Sequence, residues 1–416
     1  MTRRVVVDYP LIGAALLLSI FGVLMVYSAG QTDVPTSAAR AYRMQLVWIT
    51  AGITLAYVVS RASVRLIDWL TWPAYLGTLG LLLYTLVFGT GAGTAASTNS
   101  WIEIAGVRVG QPSELAKIMV VLMLARVLAS RREPPKSLLE LWQPALVVAV
   151  PWLLIMLQPD LGTGIVFIGI FFAMLYWSGV PLPLLVLVAS PAVSLILAYD
   201  PYRWGAWFLI LLALVLWYKP FVTEGVGLML ANVVTGIVAP ILWERLAPYQ
   251  RHRLLVFLDP SIDPRASGWH VIQSQVAIGS GGWFGKGFTE GTQKRLAFLP
   301  EQHTDFIWGV VGEELGFLGV TVALSLFCFL LFRAIRAAST AIDSFGGLIA
   351  FGLASSWFVH IVVNIGMTLN LMPITGIPLP FFSYGGSFMM SCWIAVGLLV
   401  RVSSEGRGRR LGQLAV

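Results

Sequence analysis

Asp305 stands where polar sequence gives way to a long apolar run, at the end of Phe298-Leu-Pro-Glu-Gln-His-Thr-Asp-Phe306. A carboxylate at such a border is costly to bury and readily shifted in pKa, which suits a general base; an Asp in the first turn of a helix, complementing its dipole, is the plain alternative. Glu114 and Lys117 share one helical face at i, i+3 behind Gln111-Pro112, with Ser113 the expected N-cap. They make either a local ion pair or a cation, roughly 6 Å down the helix, in need of a partner. Pro159 and Asp160 form a tight turn between two apolar runs. Arg251 and Arg253 lie at the mouth of another run, as an anionic headgroup needs, although an interfacial basic belt has the same look. Gly279, Gly281, Gly282, Gly285 and Gly287 surround Lys286, and a glycine-rich turn beside a cation can cradle a pyrophosphate through its N–H groups, though the spacing matches no P-loop. Glu313 and Glu314, about 100° apart on one helix, cannot face the same neighbour, so at least one is expected to meet a polar cavity or another helix.

The elements that must position these residues are membrane helices. The chain is 57% hydrophobic and only 11% charged, against roughly 25% charged in soluble domains, which marks an all-α integral membrane protein, a polytopic helical bundle. Apolar runs fall near 10–29, 44–60, 69–88, 114–130, 142–158, 162–179, 184–199, 205–218, 226–244, 305–332, 345–369 and 384–400. The whole chain, 1–416, reads as one membrane domain with a large loop at 245–304, a hydrophobic hairpin at 184–218 and a basic tail at 401–416. Alternate loops differ in basic content. One side carries Arg3, Arg4, Arg61, Arg65, Arg126, Arg131, Arg132, Lys136, Lys219, Arg333, Arg336, Arg401, Arg407, Arg409 and Arg410; the short loops of the other carry Arg40, Arg43, Arg108 and Arg203. Both termini are therefore expected in the cytoplasm and the large loop outside. Cys328 and Cys392 sit in apolar runs and the four histidines show no ligand spacing, so neither a disulfide framework nor a zinc site is supported. The net charge of +7 fits loops held on anionic lipid better than nucleic-acid binding, and no nucleic-acid partner is expected.

Between Asn364 and Ser387, Pro373, Gly376, Pro378, Pro380, Gly385 and Gly386 interrupt sequence of membrane depth, so this segment cannot be one continuous helix. Broken backbone at that depth is tolerated only against protein or a polar cavity. This stretch resembles the signature of the SEDS family (shape, elongation, division and sporulation), with Asn364, Pro373, Thr375-Gly376, Leu379-Pro380 and Ser383-Tyr384-Gly385-Gly386 in register. Gln111-Pro-Ser-Glu114, Gln158-Pro-Asp-Leu-Gly-Thr163, Tyr249-Gln-Arg251 and His303-Thr-Asp-Phe306 with Glu313-Glu-Leu-Gly316 look like further blocks of that family, from the first span to about Val400. Gly287 to Gln293 ahead of Phe298-Leu-Pro-Glu301 is more similar to the elongation branch than to the division branch.

The resemblance implies ten family spans, to which 184–218 adds a hairpin, and a peptidoglycan glycosyltransferase that polymerises lipid II at the bacterial inner membrane. Asp305 would be its essential catalytic group. Its partners would be the lipid II substrate, a class B penicillin-binding protein and other elongation-complex proteins. Arg251, Arg253, Lys117 and Lys286 are then the candidates for the departing diphosphate, Glu114 and Asp160 for orienting or charge-balancing the cavity, and Trp101 for substrate contact. Members often carry Arg before that Trp, whereas Ser100 stands here. No cofactor is called for; a divalent cation could share the diphosphate's charge, but the sequence names no ligand set for one. A transporter that flips the same lipid-linked precursor, or a scaffold without chemistry of its own, would suit a multi-span bundle with a broken helix too, although internal inverted repeats are not evident.

Overall fold

The computed structural model describes residues 7–33, 36–91, 100–104, 107–246, 248–259, 267–296 and 301–414. Each apolar run becomes a helix: α1 (Tyr9–Ala29), α2 (Ala41–Arg61), α3 (Val64–Phe88), α4 (Pro112–Ala129), α5 (Trp142–Leu157), α6 (Leu161–Trp177), α7 (Leu182–Leu197), α8 (Pro201–Tyr218) and α9 (Val222–Arg245). The large loop is itself partly helical, with α10 (Pro248–Leu258), α11 (Ser267–Ser280) and the single turn α12 (Thr292–Arg295). Then follow α13 (Ile307–Ser339), α14 (Ser344–Thr368) and α15 (Gly386–Leu414). Between α3 and α4, β1 (Ile102–Ile104) and β2 (Val107–Gly110) pair antiparallel.

Among the described residues, nine helices are long and apolar enough to cross a membrane. α6 and α7 are shorter, and α4 carries Glu114, Lys117 and Arg126 within its span. The starts follow local chemistry. Asp8, Asp160, Asp200 and Asp343 each accept a backbone N–H in the first turn of α1, α6, α8 and α14, satisfying donors that a helix start leaves open. Ser113 is not the cap of α4. Gln111 holds that position without a side-chain bond and Pro112 is the first helical residue, because the fixed φ of proline suits the first turn and moves Ser113 one place inside it.

The bundle has a centre and a rim. α14 and α15 are 72% buried along their apolar windows, whereas α8 is 6% buried and shows Leu209, Ile210 and Leu216 outward, as a lipid-facing helix does. α7 and α8 pack on each other, and α7 is tied to α9 by polar groups. Ser194 Oγ donates to Asn232 Oδ1 (2.6 Å) and Asn232 Nδ2 donates to Ser190 Oγ (2.8 Å) and Leu228 O (2.9 Å). The two ends of the bundle are distinct. At one, Arg333 of α13 donates to Asp8 (2.5 Å) and Ser403 of α15 donates to the other Asp8 oxygen (3.1 Å). At the opposite end, Gln111 ties the starts of α4, α6 and α15 together through Asp160 and Ser387, and α13 begins where the large loop closes.

Candidate active site

Asp305 lies in a turn over 301–306, two residues ahead of α13, half-buried. It is outside the first helical turn, so stabilising the α13 dipole from within is not its place. Its surroundings come from the broken segment. Asn364, near the end of α14, donates through Nδ2 both to the Asp305 carbonyl (2.9 Å) and to the Ile377 carbonyl (2.7 Å). Gly376 has φ +71°, and a Cβ there would stand 3.2 Å from Asp305 Oδ2. A side chain at 376 would thus be strained and would crowd the carboxylate. The Tyr384 N–H donates to the His303 carbonyl (3.0 Å), and the two rings lie 5.5 Å apart. Ser383 Oγ accepts from the Leu379 N–H (2.9 Å), while Gln45 of α2 donates to the Ser383 carbonyl (2.9 Å) and accepts from the Gly385 N–H (3.4 Å). Gly386 opens α15 where a Cβ would strike the Trp48 ring. Pro373 lies half-buried in the stretch between α14 and Gly376, and Pro380 is buried with Leu379, Phe381 and Phe382. The irregular backbone is satisfied by protein, as membrane-depth breaks require.

The turn is clamped from two other directions. Gln302 donates to the Ala29 carbonyl at the end of α1 (2.8 Å). Phe306 is buried against Ala277 of α11 and Ile374, with the His270 ring stacked on it at 5.8 Å. α11 also covers the end of α14, where Ser274 Oγ donates to the Thr368 carbonyl (3.0 Å). Burial pushes the His303 imidazole below its ordinary value.

A second polar cluster lies deeper. Lys117 Nζ is 2.9 Å from Glu114 Oε1 and 2.8 Å from His360 Nε2, and it stands 5.1 Å from the Phe388 ring centre. His360 Nδ1 is 2.9 Å from the Pro378 carbonyl. Glu114 and Lys117 edge a cavity of about 20 Å³ with Trp357, Phe388 and Cys392, room for about one water and none for a sugar. Asp160, as cap of α6, accepts from the Thr163 N–H (3.0 Å) and hydroxyl (2.8 Å) and from Gln111 Nε2 (3.0 Å). The Gln111 N–H in turn donates to Ser387 Oγ (3.3 Å). Glu114, Lys117, Asp160 and the signature are thus one connected wall.

The glycine-rich turn does not form a phosphate cradle. α13 breaks at Gly316 (φ 60°, ψ −158°), and the backbone it releases is paired by the loop. The N–H groups of Lys286 and Gly287 donate to the carbonyls of Glu313 and Glu314 (both 3.0 Å), while Phe317 and Leu318 donate to Gly282 and Trp283 (2.9 and 3.1 Å). A Cβ on Gly285 would fall 2.0 Å from the Glu314 carbonyl oxygen, which is the physical reason for glycine there. The Lys286 and Gly287 N–H groups are spent on the helix break, and those of Gly281 and Gly285 on the Ile278 and Gly281 carbonyls. Both glutamates find loop cations. Glu313 Oε1 accepts from Lys286 (2.7 Å) and from the N–H groups of Thr292 and Gln293 (2.9 and 3.0 Å). Glu314 is ion-paired with Lys294 and accepts from Ser28 Oγ of α1. Burial pulls the Lys294 ammonium below the usual lysine range, against the opposing pull of Glu314.

Other sequence candidates lie apart from Asp305 in their contacts. Arg251 donates to the carbonyls of Trp243 and Glu244 (2.9 and 3.1 Å), closing the end of α9. The Arg253 side chain falls outside the described residues. Trp101 pairs through its backbone with Thr90 ahead of the β-hairpin. Among the described residues, no three of His, Cys, Asp and Glu are grouped as a metal would require. His360, Gln45 and Ser28 escaped the sequence reading. His360 had one usable signal, since it stands four residues before Asn364 on the same face of α14.

Comparison with known proteins accounts for this arrangement. The family described as cell cycle protein FtsW/RodA/SpoVE matches residues 9–204 and 182–408, the two stretches overlapping at the hairpin. The peptidoglycan glycosyltransferase RodA of Treponema pallidum (strain Nichols) is 35% identical, over 96% of this chain and 98% of its own. The peptidoglycan glycosyltransferase MrdB of Escherichia coli (strain K12) is 33% identical, over 97% and 95%. A solved structure described as "Structural coordination of polymerization and crosslinking by a peptidoglycan synthase complex" superposes with a TM-score of 0.70 at 28% identity, covering 97% of this chain and 99% of that one. End-to-end matches of this kind, to sequences and to a fold alike, place this multi-pass membrane chain in the FtsW/RodA/SpoVE family, to which it belongs.

Proposed function

We propose that this chain is a peptidoglycan glycosyltransferase of the elongation type, polymerising lipid II into glycan strands with Asp305 as general base. The observation that carries the assignment of the base is the bridge of Asn364 from the Asp305 carbonyl to Ile377, with Gly376 beside the carboxylate. It holds a half-buried acid against the broken segment at the loop end of the bundle. The acceptor sugar's hydroxyl attacks the anomeric carbon of the donor MurNAc. Asp305 takes the hydroxyl proton, the new glycosidic bond forms, and the anomeric C–O bond breaks with its electron pair leaving on the lipid diphosphate.

Charge on the departing diphosphate falls to the cations at this end. Lys286, 28% exposed, and Lys117 already hold carboxylates, so each would exchange partners to reach the diphosphate. Arg251, in α10, would release the two carbonyls at the end of α9 that it now holds, and Arg253 is a further candidate from the same segment. Glu114 and Asp160 keep the wall in place, and Trp101 is carried forward as a substrate contact. A divalent cation, if one shares the diphosphate's charge, would add to the same stabilisation, but no group of three acidic, His or Cys side chains among the described residues would hold it. The loop end faces outward and both termini face the cytoplasm, which the basic loops support. The partner is a class B penicillin-binding protein that crosslinks the emerging strand, a role to which the likeness to a synthase complex lends support. Purified chain with that partner, given lipid II, should yield glycan polymer; Asp305→Ala should abolish it with the fold intact. Polymer formed equally well by Asp305→Ala and Asp305→Asn would end the general-base assignment.

A further inference from the structure

His360 and Asn364 occupy successive turns of one face of α14 and take hold of adjacent carbonyls of the broken segment, Pro378 through His360 Nδ1 and Ile377 through Asn364 Nδ2. Each also holds a second group. Asn364 donates to the Asp305 carbonyl, and His360 Nε2 meets the Lys117 ammonium at 2.8 Å. The partners decide the state of the ring. A carbonyl only accepts and an ammonium only donates, so Nδ1 carries the hydrogen and Nε2 is bare. The imidazole is therefore neutral, stacked on Phe388 at 4.7 Å and 1% exposed. Lys117 spends its three donor directions on Glu114, His360 and the Phe388 face.

We propose that His360 is a positioning residue which couples the Glu114–Lys117 pair to the turn bearing Asp305, through the two adjacent carbonyls of Ile377 and Pro378. The proposal rests on the glycosyl-transfer reading. Its content is that the carboxylate of the base and the buried cation are set relative to each other by one rigid strip of α14. A histidine supplies a donor on one ring nitrogen and an acceptor on the other at fixed spacing, which no apolar residue of similar volume reproduces. Withdrawing the acceptor leaves the Lys117 ammonium free to follow Glu114 alone, and withdrawing the donor loosens Pro378.

Full-length chain with its partner transpeptidase, assayed with lipid II, separates this from a packing role. His360→Gln keeps an acceptor near the Nε2 position, His360→Asn keeps a donor near Nδ1 and removes the acceptor, and His360→Leu removes both. The expected order of kcat is wild type, then Gln within about threefold, then Asn and Leu lower by about tenfold or more, with KM nearly constant. Melting temperatures are measured on the same samples. Activities of Gln and Asn that coincide, or that merely track melting temperature, would overturn the coupling. Asp305→Ala is run alongside: polymer from that variant defeats the underlying reading, whereas an inactive Asp305→Ala beside a fully active His360→Leu defeats this inference alone.

Discussion

Three carboxylates stand within ten positions of one another, and the structure treats them oppositely. Glu313 and Glu314 are fully buried and bound to Lys286 and Lys294, fastening the large loop across the break in α13. Asp305 is half-buried beside the exposed Gly376, and its backbone carbonyl is held by Asn364. Enclosed acids with dedicated cations hold architecture, because a charge withdrawn from water must be matched on the spot. An acid carried on a clamped backbone beside open space can exchange protons with an incoming hydroxyl. On the proposed mechanism, the contrast separates the group that reacts from the groups that keep it in place.

That contrast can be broken first at Asp305. Asp305→Ala should lower the polymerisation rate by about 10²–10⁴-fold while the melting temperature in detergent stays within a degree or two; a large loss of stability would place Asp305 with the structural acids. Glu314→Gln should do the reverse. Leaving Lys294 buried without its counter-charge should cost about 3–5 kcal/mol, read as a lower thermal midpoint, and Glu314→Gln with Lys294→Met should recover most of it. Gly376→Ala sharpens the link between turn and signature: a strained left-handed backbone costs about 1–2 kcal/mol, and the added methyl beside Asp305 Oδ2 should reduce kcat by more than that loss of stability explains. Asn232→Ala tests the rim, where losing the α7–α9 clasp should cost about 1 kcal/mol with polymerisation unchanged. The smallest effect concerns His303. Burial lowers its pKa, so the unfolded chain binds the proton more readily; the stability present above pH 6.5 is lost as pH falls through the folded value. Melting curves should decline below pH 6.5, and His303→Asn should flatten that decline.

The helices, the break after α14, the hairpin and the Glu114–Lys117 pair were legible because each rests on local composition: apolar length, proline and glycine, and i, i+3 spacing. The misreadings arose where distant segments compete for the same groups. One misreading was local instead: Ser113 loses the cap because its neighbour Pro112 starts the helix. The turn at 281–287 looks like an anion cradle until the break at Gly316, some thirty residues on, claims the N–H groups of Lys286 and Gly287. His360 looked isolated because Lys117 and Pro378 are remote along the chain in one direction and hidden beyond the helix end in the other.

Hydrophobic length and helix-breaking residues determined by themselves that this is a membrane bundle with an irregular segment beside an acidic turn, since both signals act within a few residues. Which carboxylates are fully enclosed with a lysine, and which is only half-buried, was decided only by tertiary structure. Pairing a buried charge depends on what the folded chain brings within hydrogen-bond distance, and Ser28 reaching Glu314 from 286 positions away is not written in either neighbourhood.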